Sequence, residues 1–175
     1  MNTKGTGSPH VADVLIIRIQ DWLRLRRAIL PADSDAAVQW YQDGEVLRFS
    51  EGCTKPYDRQ MVERMYHDLD RLGELYIIEV WSDARWQAIG DATLSTESLP
   101  IVIGSPQWRS KGIGRLVLDA LVQRAKQLGW ELLQVKGVFA DNKRARRMFE
   151  GVGFRSTGET VDPDGKRRIR YRLIL

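Results

Sequence analysis

The stretch QWRSKGIGRL, residues 107–116, constrains this chain more than any other. Two glycines, Gly112 and Gly114, stand before an apolar run. The run is Leu116, Val117, Leu118, Ala120, Leu121, Val122 and Ala125, at helical spacing, and Gly129 is its stop. The aliphatic segment LPIVIG (99–104) precedes the glycines, and WELLQVKGV (130–138) follows the helix of about 114–128. Strand, glycine turn, long helix and strand make one βαβ crossover.

Glycines at a helix entrance serve close approach. The first turn leaves backbone N–H groups without partners and carries partial positive charge. Glycine removes the Cβ that would keep a phosphate away, and it allows the positive φ of a cradle. Arg109, Lys111 and Arg115 add cations near the same point. The residues Arg109 to Arg115 therefore read as an anion site for a phosphate or pyrophosphate. It is not a Walker loop, because the Gly-Lys-Ser/Thr ending is missing. It is not the dinucleotide fingerprint either, because Val117 stands where the third glycine belongs.

The rest of the chain reads as one α+β domain over residues 13–175, behind a flexible N-terminal tail, residues 1–12. DVLIIRI (13–19) and the alternating WLRLRRAIL from Trp22 are strands. PADSDAAVQWYQD reads as one helix with Asp33 or Ser34 as cap, and EGCTKPYD as a loop. DRQMVERMYHDLDRLGE is a second helix, with Met61, Val62, Met65, Tyr66 and Leu69 inward. A meander follows: LYIIEV (75–80), WQAIGDATL (86–94) and the strand at 99–104. NKRARRMFEGVGF is a short helix ending near Gly151 and Gly153. FRSTGETV and RRIRYRLIL flank DPDGK, a hairpin turn signal.

The 175 residues suffice for one core, and 43% of them are hydrophobic. The longest aliphatic run, Val14 to Ile17, is too short to span a bilayer, and the polar start lacks a secretory core. A lone Cys53 forms no intrachain disulfide, which fits the cytoplasm. No metal site is expected. The formal net charge is +4, and ten Lys/Arg against five Asp/Glu fall between Asp141 and Leu175. That bias is read as an anionic small-molecule partner rather than nucleic acid, since no zinc or RNA-binding motif accompanies it.

RSKGIG fits the pattern Arg/Gln-x-x-Gly-x-Gly/Ala of the GNAT acetyltransferase superfamily. A second block resembles the same family through Asn142, Ala145, Phe149, Glu150, Gly153 and Phe154. The resemblance covers roughly residues 22–175. It implies a GNAT-like mixed central sheet, flanked by helices, in which two parallel strands, 99–104 and 131–138, splay apart. It implies acetyl-CoA as co-substrate, with its pantetheine arm bonded to the backbone of Ile101, Val102 and Ile103. The pyrophosphate would then lie on Arg109, Ser110, Lys111, Gly112, Ile113, Gly114 and Arg115. Asn142 matches the family residue that contacts the arm, and Phe149 would pack near the thioester. The implied activity is acetyl transfer to a primary amine by direct attack in a ternary complex. The acceptor is a small-molecule amine or a protein N-terminus, as in the ribosomal-protein type. A non-catalytic acyl-CoA sensor is the alternative, and a homodimer is left open.

Many members of the family carry Tyr where this chain has Phe149, so the thiolate-protonating phenol cannot be carried over. For the base, Glu97 stands first and Asp91 second among the meander carboxylates, with Glu79 also on a strand. Asp91 is conspicuous because Asp is a poor strand former. Trp40, Tyr41, Phe49 and Tyr57 are candidates for an acceptor pocket.

Overall fold

The computed structural model describes residues 15–175. The expected tail of residues 1–12, with His10, and the first positions of the expected strand 13–19 lie outside the described residues. Among those described, no helix is long and apolar enough to cross a membrane.

Two antiparallel sheets form the frame. The first runs in chain order: β1 (Ile16–Gln20), β2 (Leu23–Arg27), β3 (Glu74–Ser82), β4 (Arg85–Leu94) and β5 (Ile101–Ile103). The second has the order β6 (Leu132–Phe139), β8 (Arg167–Ile174), β7 (Arg155–Val161). The break between the two ladders falls between β5 and β6, the pair expected to splay. A backbone bond from Gln134 N–H to Thr96 C=O joins the sheets at 3.1 Å, just ahead of β5. Beyond it β5 and β6 share no ladder.

The helices are α1 (Ala32–Ala37), α2 (Gly44–Val46), α3 (Arg59–Leu72), α4 (Ile113–Gln127) and α5 (Lys143–Val152). The run in β3 is apolar on both faces because both are covered. Tyr76, Ile78 and Val80 join α4, β6 and β8 in one core, and Leu75 and Ile77 join α1 and α3 in another. Asp58 caps α3 by accepting from Met61 N–H at 2.8 Å.

The helix expected over 31–43 is broken. It stops at Ala37, tightens into a 3₁₀ turn at Trp40–Gln42, and restarts as α2 and a π turn at Leu47–Glu51. Neither expected cap works as one. Asp33 forms a bidentate pair with Arg26, and Ser34 donates to Pro31 C=O. The break wedges Trp40 against the chain beyond β5, where a Cβ on Gly104 would lie 2.1 Å from the indole.

Candidate active site

The edge of β5 sets the geometry. Thr93 N–H donates to Pro100 C=O at 3.0 Å, and Asp91 pairs with Val102 across the ladder. Antiparallel bonding alternates by residue, so the backbone groups of Val102 face β4 and those of Ile101 and Ile103 face the open edge. Of the three expected backbone partners, only these two are free to offer main-chain groups to the gap. The Ile103 carbonyl is already used by Arg109 Nε at 2.9 Å.

Arg109 is a strut. Its guanidinium also donates to Gly104 C=O at 2.8 Å and pairs with Asp43 at 3.1 Å and Glu45 at 3.4 Å, and only a tenth of the side chain is exposed. It ties the β5 outlet to the start of α2 and is not a loose cation for a phosphate. Lys111 lies over the Trp108 ring at 4.9 Å, outside the cleft lining. Arg115 reaches Gly151 C=O at 3.1 Å from the first turn of α4.

What remains at the turn is backbone. Ser110 and Gly112 adopt positive φ, 59° and 78°, and Gly112 is the N-cap of α4 with no side-chain capping bond. Arg115 and Leu116 N–H groups bond to Gly112 C=O. The N–H groups of Ile113 and Gly114 precede the first helical acceptor and are left free. A Cβ on Gly112 would meet nothing within 4 Å, whereas one on Gly114 would lie 3.1 Å from Met148 Sδ. The two glycines differ in role: Gly112 turns the chain, and Gly114 lets α4 approach α5.

These parts border a cleft of about 380 Å³. Ile101, Val102, Ile103, Arg109, Ser110, Gly112, Ile113, Gly114, Arg115 and Asn142 all line it. So do residues the sequence did not mark, among them Glu45, Ser50, Trp108 and Met148. Met148 lies one turn past Ala145 on α5, a spacing that shows in the sequence, but Glu45 and Ser50 enter through the broken helix. Asn142 caps α5, its Oδ1 accepting from Ala145 N–H at 3.0 Å, which leaves its amide N–H groups for the cleft.

Four further candidate side chains lie elsewhere. Phe149 is in the core, edge-on to Phe154 and stacked on Tyr171, with 4% exposure. Glu97 is more than half exposed, outside the cleft lining, and ion-paired with Lys136. Glu97→Gln is accordingly expected to keep the parent pH–rate profile, read by thiol release. Asp91 is buried on the helical side of β4, with Tyr41 Oη at 3.0 Å and Tyr66 Oη at 2.8 Å both donating to Oδ2. Burial pushes its carboxyl up to about 7, against the lowering bonds from Tyr66 and Tyr41. Glu79 is held between Arg24 and Arg26 at 2.6 and 2.9 Å.

A half-open sheet edge running into a glycine turn and a helix start matches a known family. Residues 23–155 match the family model described as an acetyltransferase (GNAT) domain. The chain belongs to the GNAT acetyltransferase family.

Solved structures share the fold at low identity. RimL, a ribosomal L7/L12 alpha-N-protein acetyltransferase in complex with coenzyme A, superposes with a TM-score of 0.76 at 15% identity, over 92% of this chain and 98% of that one. A GNAT-family acetyltransferase from Bacillus anthracis gives 0.74 at 12%, over 91% and 98%. The aminoglycoside acetyltransferase AAC(6')-Ib with coenzyme A gives 0.67 at 18%, over 87% and 94%. No curated protein sequence matches the chain.

Proposed function

We propose that this protein is an N-acetyltransferase that binds acetyl-CoA along the free edge of β5 and passes its acetyl group directly to a primary amine. The observation that carries the reading is the continuity of the cleft. Main-chain groups of Ile101 and Ile103 at the sheet edge lead to the unpaired N–H groups of Ile113 and Gly114 at the start of α4. An amide-rich arm is bonded like an added strand by the first, and a pyrophosphate by the second. Ser110 and Gly112 shape the turn, Asn142 offers its amide, and Arg115 supplies charge at the rim. Lys111 reaches a phosphate only by leaving Trp108.

The acceptor enters beside Val46, Phe49 and Ser50, on the wall that faces α5. It attacks as the neutral amine, its proton having gone to water, because neither Glu97 nor Asp91 borders the cleft. Two of the solved structures support an amine acceptor: RimL is described as an alpha-N-protein acetyltransferase and AAC(6')-Ib as an aminoglycoside acetyltransferase. The reading places the enzyme with cytoplasmic acetyl-CoA and requires no nucleic acid. Arg167 and Arg168 of the basic C-terminal region are paired with Glu159 and Asp162.

The test is release of free thiol from acetyl-CoA against a panel of polyamines, aminoglycosides and short peptides with free N-termini. Turnover with at least one amine, and N-acetylation of it by mass, is the expected result. Tight binding of acetyl-CoA with no turnover on any amine would favour the sensor.

A further inference from the structure

Asp91 is an expensive residue to bury. Its exposure is 1%, and the surrounding cluster is apolar: Ala37, Val46, Val62, Leu75, Ile77 and Val102. The groups that face it are Tyr41 from the 3₁₀ turn, Tyr66 from α3 and, further off, Glu51 from the π turn. β3 and β5 present Ile77 and Val102. Asp33 of α1, paired with Arg26, acts on Tyr66. Every charged neighbour on this side is an acid or is spent on one, so no cation favours ionisation.

The sign of the linkage follows. The folded carboxyl titrates at about 7, above its ordinary value of 3.8. The native state therefore holds a proton that the unfolded chain has released. The stability this proton provides is complete in acid and is lost as pH climbs from about 4 through about 7. At neutral pH an apolar trio would pack here at less cost, so packing alone is a poor account of Asp91, Tyr41 and Tyr66.

The trio connects to the cleft. Tyr41 stacks on Tyr57 at 5.9 Å and its carbonyl accepts from Tyr57 N–H at 3.1 Å. Tyr57 Oη donates to Glu51 at 2.9 Å. Between Tyr41 and Glu51 lie Glu45, Val46, Phe49 and Ser50, all on the cleft wall. On the other side, Asp91 is the ladder partner of Val102, which lines the same cleft. Asp91 thus sits where the strand and the wall are fastened together.

We propose that Asp91 is a positioning residue: its carboxyl group, accepting from Tyr41 and Tyr66, holds segment 40–51 against β5, and the hold weakens when the carboxyl loses its proton. A hydroxyl donating to a carboxylate makes a bond roughly twice as strong as one to a neutral acceptor. The dry site, with no cation beside it, penalises the charge by more than this gain, so ionisation loosens the wall, and a ligand that needs the wall in place favours the protonated form. The inference rests on the reading of the cleft as the acetyl-CoA site.

The experiment has two arms. In the first, acetyl-CoA is titrated calorimetrically between about pH 6 and about pH 8.5 into the parent, Asp91→Asn, Tyr41→Phe and Tyr66→Phe proteins. Parent affinity is expected to fall, relative to Asp91→Asn, on the order of fivefold across this range. Asp91→Asn retains only the dependence due to the ligand's own phosphate. Tyr66→Phe, which keeps the carboxylate and removes one donor, shifts the midpoint to higher pH. In the second arm, amide exchange over residues 40–51 of the ligand-free proteins is compared at matched pH. Exchange over this segment should quicken on passing neutrality in the parent relative to Asp91→Asn. Identical pH dependence of parent and Asp91→Asn in exchange overturns the positioning role. Should Asp91→Asn not fold, an unmoved midpoint in Tyr66→Phe overturns it. Absence of acetyl-CoA binding at any pH refutes the cleft assignment, while the exchange arm still decides Asp91.

Discussion

Gly112→Asp is expected to weaken acetyl-CoA binding by on the order of 10²–10³-fold while the protein melts no lower than its parent. Gly112 sits at φ 78° as the N-cap of α4, and a side chain there enters open space. Asp tolerates the left-handed region better than most residues and is a preferred N-cap. Its carboxylate would accept from the free N–H groups of the first turn and so occupy the cradle from within. A phosphate brought within about 4 Å of it meets repulsion of about 4 kcal/mol in a partly screened site. Gly112→Ala separates charge from conformation: it introduces only the left-handed strain, about 1–2 kcal/mol, and leaves the N–H groups free. Calorimetric titration with acetyl-CoA measures both. Parent-like affinity in Gly112→Asp would remove the turn from the binding site.

Phe149→Ala is the largest expected stability loss. The ring is buried in the core that joins α4, α5, β6 and β8, with its centroid 5.3 Å from Phe154 and 6.0 Å from Tyr171. Truncating a buried Phe costs about 3–5 kcal/mol. For a domain of this size that lowers the melting temperature by roughly 10 °C. Scanning calorimetry reads the loss, and acetyl-CoA affinity, measured well below the transition, should change little because the ring does not border the cleft. Phe149→Tyr is expected to destabilise as well, by about 1–3 kcal/mol, since the new hydroxyl would be buried without a built partner. A gain in acetyl-transfer rate from that variant would instead place the ring at the thioester.

Much of the frame was legible in the chain because it depends on neighbours in sequence. The strand before 107–116, the helix after it and the stop at Gly129 follow from apolar period and glycine chemistry, and so do α3 between Asp58 and Gly73 and the final hairpin. The cradle belongs with these, because a helix start exposes its own N–H groups whatever surrounds it. Ten of the twelve residues expected at the co-substrate site border one cleft, and most of them lie in 101–103 and 109–115.

The side-chain roles were settled by contacts the sequence does not display. Arg109 looks like a free cation beside two glycines, yet the carbonyls of Ile103 and Gly104 accept its N–H groups and Asp43 and Glu45 pair with it, so it becomes a strut. Phe149 follows the family spacing but faces Phe154 and Tyr171, because the hydrophobic face of α5 packs onto the second sheet. Glu97 lies near the junction of the two sheets, where Lys136 takes its charge. The helix expected over 31–43 breaks because Trp40 and Tyr41 find partners at Gly104 and Asp91, far away in sequence. By itself the sequence determined the order of elements and the glycine turn at the start of α4, all products of local backbone chemistry. Only the tertiary structure decided which charges remain free, which aromatic rings form core, and that Asp91 is gripped between the helical layer and the sheet, because burial and pairing depend on residues that meet only after the chain has folded.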